Sequence, residues 1–69
     1  MKRIKLKQFR IGYDLSQQDM ATRCGVSRQT YGYIELGLIA GGDEFWLKLK
    51  KEFDLSPNEV WQMRYEGRE

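Results

Sequence analysis

A chain of 69 residues holds one domain at most, expected to span residues 1–69, and a domain of this size buries only about 60% of its unfolded surface. Its core therefore has to be dense, which 41% hydrophobic residues and nine aromatics allow. The net charge is only +2 but is unevenly divided: residues 1–28 carry seven Lys/Arg against Asp14 and Asp19, residues 29–69 five against eight acids. That division suits contact with a polyanion and argues against indiscriminate coating of one. With no His, one Cys and no glycine-rich phosphate loop, the chain lacks the inventory of a catalytic or metal site, so no enzyme, metal, cofactor or small-molecule ligand is expected. No apolar run reaches the length of a membrane span, and the basic N-terminus lacks the apolar segment of a secretion signal. The lone Cys24 fits a reducing cytoplasm, and reads as a small core side chain.

In chain order, a first helix is predicted over about residues 2–13, with Leu6, Phe9, Arg10 and Tyr13 at i, i+3, i+4 and i+7 on its inward face. Gly12 weakens its last turn and Asp14 takes the turn position, a residue type that tolerates left-handed backbone. Lys2, Arg3, Lys5 and Lys7 are open to two readings, a solvated helix face or a set of phosphate contacts. Next comes the stretch from Ser16 to Gly37. Ser16 is an N-cap type with Asp19 in the reciprocal place, and Met20, Ala21 and Cys24 form one apolar stripe. Gly25 stands where a helix ends by turning left-handed. Val26 can plug the gap, Ser27 caps a following helix whose inward residues are Tyr31 and Ile34, and Gly37 ends it. Two short helices joined by a three- to four-residue turn with glycine match the helix-turn-helix unit, whose second helix enters the DNA major groove.

The link Leu38–Gly42 holds no charge. Leu38 and Ile39 either complete the core or form part of a protein-binding surface, and small size favours the former. A fourth helix over about 43–53 places Trp46, Leu49 and Phe53 inward with Leu47 nearby, and Lys48 and Lys51 outward. The fifth has the clearest start: Ser56 as cap, Pro57 at the first helical position, Glu59 completing a capping box. Along it Val60, Trp61, Arg64 and Tyr65 either pack on the first helix or offer a dimer contact. No segment shows convincing period-2 alternation, so the fold class is all-α.

The residues Leu15-Ser-Gln, Met20-Ala, Cys24-Gly-Val-Ser-Arg-Gln-Thr and Ile34-Glu-Leu-Gly resemble the DNA-binding domain of phage repressors, Cro proteins and related Xre-type regulators. The family pattern is Leu-Ser-Gln-x-x-Leu-Ala-x-x-x-Gly-Val-Ser-x-x-x-Ile-x-x-Ile-Glu-x-Gly. The likeness extends more loosely over nearly the whole chain and implies a five-helix, lambda-repressor-like domain with its helix-turn-helix at about 16–37 and its recognition helix at about 27–36. It also implies an ion pair between Arg10 and Glu35, tying the first helix to the third, and a phosphate or base-edge contact by Gln17. The uncharged link is the main departure, because relatives carry basic residues there; phosphate anchoring from that loop is not expected. Relatives also prefer a small residue at Lys50.

In such a unit the leading residues of the second helix face base edges. Ser27, Arg28, Gln29 and Tyr33 are the candidate base contacts, with Arg suited to the two acceptors of guanine, Gln to adenine, and Tyr33 to a phosphate or a thymine methyl. Gly32 brings no side chain, and Lys5 and Arg23 join Gln17 as candidate phosphate contacts. The expected function is a sequence-specific regulator of double-stranded DNA, of the phage repressor or Cro type, acting by occupancy as a homodimer or mixed dimer. The alternative is an antirepressor or modulator that keeps the fold and binds another helix-turn-helix regulator. The uncharged link, the aromatic-rich third helix and the modest net charge motivate it, with Leu38, Ile39, Trp61 and Tyr65 as its candidate interface.

Overall fold

The structure, a computed structural model, describes residues 2–66. It contains five helices: α1 (Ile4–Gly12), α2 (Gln17–Cys24), α3 (Arg28–Glu35), α4 (Gly42–Glu52) and α5 (Pro57–Arg64). Among the described residues there is no strand, and no helix is long and apolar enough to cross a membrane. The fold is all-α, with α2 and α3 packed as a pair, α4 behind α2, and α5 closing the bundle against α1 and α4.

Local chemistry sets the helix ends. Ser16 and Asp19 form a reciprocal capping box at α2, as Ser56 and Glu59 do at α5, where Pro57 occupies the first turn. Ser27 Oγ accepts from the Thr30 amide and starts α3. Two of the orphan amides that open α2 and α5 are thereby satisfied in each case. Gly25 ends α2 at φ 73°, a conformation that costs any residue with a Cβ. Asp14 (φ 58°) and Asp54 (φ 51°) make the corresponding left-handed turns after α1 and α4.

The core is Leu6 of α1, Met20, Ala21 and Cys24 of α2, Tyr31 and Ile34 of α3, Phe45, Trp46 and Leu49 of α4, then Leu55, Val60 and Met63. Phe45 and Met63 were not foreseen from helical spacing. Phe45 enters because Trp46 packs edge-on against it, ring centroids 4.9 Å apart at 90°. Tyr13, expected inward, is exposed on its outer face but packs tilted against Phe9 at 5.0 Å and Phe53 at 4.9 Å. It thus covers the core edge instead of filling it.

Three expectations about the surface change. Arg3 is neither a solvated side chain nor open to phosphate: it is 5% exposed. Its guanidinium donates to the carbonyls of Ile34 (2.6 Å), Ile39 (3.0 Å), Ala40 (3.4 Å) and Arg64 (3.2 Å), and stacks over Trp46. Leu38 and Ile39 do not complete the core, being 67% and 41% exposed. Phe45, Trp46 and Tyr31 already fill the space beneath the link, and Gly41 brings the chain so close to Trp46 that an added Cβ would lie 3.0 Å from the indole nitrogen. Trp61 and Tyr65 stand toward α4, where the sequence offers α1 or a dimer contact. They face α4 across an open groove of about 1030 Å³, with Trp61 44% exposed and its ring 5.4 Å from that of Tyr65.

Candidate nucleic-acid interface

The α2-turn-α3 unit is built around Gly25 and Val26. The left-handed Gly25 reverses the chain in a few residues, and half-buried Val26 seats the turn on the core. A Cβ on Gly25 would stand 3.2 Å from Lys48 Nζ, so the Lys48 side chain of α4 reaches this turn. With Tyr31 and Ile34 buried, α3 has one fixed inner side and one free outer side.

Arg28 and Gln29 stand exposed on the outer side at the start of α3. Ser27 beside them spends its hydroxyl within the chain: Oγ accepts from Thr30 N at 3.1 Å and donates to Thr30 Oγ1 at 2.9 Å. Its first role is that of a cap. One turn on, Tyr33 is 39% exposed and its hydroxyl accepts from Gln29 Nε2 at 2.7 Å. Gly32 between them leaves the helix surface low, and its nearest neighbour across α2 is Gln17 Oε1.

Behind α3 lies a buried polar network centred on Glu35. Arg10 Nε donates to Glu35 Oε2 at 2.9 Å and Arg10 Nη2 to Oε1 at 3.2 Å, a two-pronged pair whose side chains are only 12% and 7% exposed. Tyr31 Oη donates to Oε2 at 2.6 Å, and Gln17 Nε2 to Oε1 at 3.2 Å. Burial alone would raise the Glu35 carboxyl, but the hydrogen bonds from Arg10, Tyr31 and Gln17 outweigh it and hold the group below its ordinary value. The Tyr31 hydroxyl is pushed well up, first by burial and then by its bond to Glu35. Among the described residues no buried side-chain nitrogen or oxygen lacks a partner. Tyr31 lies four residues before Glu35, so the i, i+4 spacing was the signal for its bond.

Of the three candidate phosphate contacts, Gln17 lies beside α3 and Lys5 and Arg23 turn elsewhere. Gln17 is half-buried and bound to Glu35 through its amide. Lys5 Nζ donates to Gln62 Oε1 at 3.0 Å and so turns to α5. Arg23 lies over the Phe53 ring at 5.6 Å, at the end of α4. The site that the fold does assemble is the leading edge of α3, with Arg28, Gln29 and Tyr33 outward and Gln17 next to Gly32.

These features define a helix-turn-helix domain, a short exposed helix locked from behind onto a small all-α bundle. The helix-turn-helix family model matches residues 6–60, and the chain belongs to this family, of the phage repressor-like, Xre type. Among curated proteins it is 35% identical over 57 residues to an uncharacterized HTH-type transcriptional regulator of Methanocaldococcus jannaschii, covering 83% of this chain and 86% of the relative. No solved structure gives a significant match.

Proposed function

We propose that this protein is a sequence-specific DNA-binding transcriptional regulator of the phage repressor or Cro type, with α3 as its recognition helix in the major groove. Family membership and the named relative support DNA-binding regulation. The observation that carries the finer reading is the leading edge of α3. Arg28 and Gln29 are exposed there on a helix whose opposite side is fixed by Tyr31, Ile34 and Glu35. Arg offers a fork of donors to guanine and Gln a donor and acceptor to adenine, each good pair discriminating by about 1–3 kcal/mol. In this reading Gln17 positions the backbone from the start of α2, where helix amides favour an anion. A dimer, working in the cytoplasm, places two such helices about one turn of DNA apart, and the α4/α5 groove with Trp61 and Tyr65 is the candidate contact.

Selection of the purified protein on a random duplex library at ~100 mM salt, where phosphate binding alone is already weakened, tests the proposal. Enrichment of a repeated half-site supports it. Lack of enrichment by a folded sample moves the reading to the modulator that captures another helix-turn-helix regulator. The exposed Leu36, Leu38 and Ile39 at the end of α3 favour that second reading, because a run of exposed aliphatics beside the motif suits a protein partner better than DNA.

A further inference from the structure

On the outer side of α3, two of the exposed residues are bound to each other. Gln29 and Tyr33 are four apart, one above the other on the helix, and Gln29 Nε2 donates to Tyr33 Oη at 2.7 Å. Both side chains are exposed, and neither takes part in the Glu35 network behind the helix. A free glutamine has several rotamers and can turn its amide over, so by itself it presents donor and acceptor to a base in either order. Tyrosine has only two side-chain torsions, fewer than glutamine. A bond to its hydroxyl uses one of the two amide hydrogens and fixes the plane and sense of the Gln29 amide. Gly32 alongside has no side chain to separate the pair or to hold the helix away from a base edge.

We propose that Gln29 and Tyr33 read one base as a unit, with Gln29 touching the base and Tyr33 as its positioning residue. This rests on the operator-binding reading above and deepens it. The amide keeps its carbonyl and its second N–H for the target, the pairing that matches N6 and N7 of adenine in the major groove. Because the Tyr33 hydroxyl accepts from Gln29, its own hydrogen points elsewhere and is available to a phosphate oxygen or a neighbouring base acceptor. The target is a duplex half-site with adenine at one defined position, read with less freedom than a lone glutamine allows.

The test is library selection on duplex DNA with the wild type and with Gln29→Ala, Tyr33→Phe and the double variant, with melting temperatures measured alongside. Gln29→Ala relaxes one position from adenine to any base and so locates the contact. Tyr33→Phe, which keeps the ring and removes only the hydroxyl, lowers the adenine preference at that same position about fivefold, the worth of one hydrogen bond. It leaves the melting temperature unchanged, and in the Gln29→Ala background it has no further effect at that position. The proposal is overturned if Tyr33→Phe keeps the full adenine preference, or if its effect is the same with and without Gln29. A wild type that enriches no sequence overturns the operator-binding reading, and this one with it. A wild type that enriches a site with no adenine sensitive to Gln29 overturns this one alone.

Discussion

Replacing Glu35 by Ala is expected to be among the most damaging single changes in the chain. The substitution strips the one carboxylate among the described residues that Arg10 meets within salt-bridge distance, in a place where the arginine side chain is 12% exposed. It also removes the acceptor of the Tyr31 hydroxyl at 2.6 Å and the partner of the Gln17 amide. Breaking a buried pair by deleting one member costs about 3–5 kcal/mol, because the remaining charge is left in poor solvent. A domain of this length has a total stability of only about 3–10 kcal/mol at the usual value per residue. With each kcal/mol moving the midpoint of a small domain by about 4–8 °C, thermal unfolding followed by circular dichroism should shift down by at least about 12 °C. Glu35→Gln keeps the shape and an acceptor and should lose less. Arg10→Met combined with Glu35→Leu, which removes both charges, should recover a good part of the loss. The wild type should also weaken in acid. Burial raises the Glu35 carboxyl, yet the bonds from Arg10, Tyr31 and Gln17 leave it lower than in the unfolded chain. Its stabilisation is therefore complete above the unfolded value of about 4.3 and is lost as pH falls through the lower folded value. An alanine variant melting within about 2 °C of the wild type, the range of a neutral surface change, would refute the account of this network.

Arg3→Ala should cost about 2–3 kcal/mol in urea unfolding, since four carbonyl contacts from a charged donor are lost in a buried place; the neighbouring exposed Lys2→Ala should be neutral, and equal effects at the two positions would overturn the assignment. Gly25→Ala should destabilise by about 1–2 kcal/mol, because φ 73° strains any residue with a Cβ and Lys48 would have to withdraw. Unfolding midpoints read this directly, and no shift would contradict the turn geometry. The Cys24 thiol is buried, and burial pushes it up to about 11, so a disulfide reagent at pH 8 should label the native protein far more slowly than the urea-unfolded chain.

What could be read ahead of the structure was local. The caps at Ser16, Ser27 and Ser56, the reversal at Gly25 and the left-handed Asp14 each depend on a few consecutive residues, and their chemistry is complete within that span. What escaped depends on direction around a helix or on partners far along the chain. Arg3 is buried because carbonyls 31, 36, 37 and 61 residues away converge on it, and an arginine at the start of a basic run gives no sign of that. The charges of Lys5 and Arg23 were plain, but their targets, Gln62 and the Phe53 ring, belong to α5 and the end of α4. Leu38 and Ile39 were placed inside by counting aliphatics. The aromatics of α3 and α4 had already filled that volume, and a packed core admits no surplus.

The same polar contacts explain how so short a helix can hold a defined direction. Eight residues of helix are unstable alone in water, so α3 takes its order from what it packs against. Its inner surface offers only Tyr31 and Ile34 as buried apolar side chains, and apolar burial is non-directional, so it sets the helix direction less sharply than hydrogen bonds do. Hydrogen bonds are directional, and they are concentrated at its C-terminal end. Arg3 binds the Ile34 and Glu35 carbonyls through its guanidinium and its backbone amide, and Arg10, Gln17 and Tyr31 hold the Glu35 carboxylate. Clamped there from the start of α1, the end of α1 and the start of α2, the helix extends its N-terminal end outward, and that end carries Arg28 and Gln29. Glu35 is thus fixed at the rear, so the front of α3 keeps its direction while Gln29 and Tyr33 there bond only to each other.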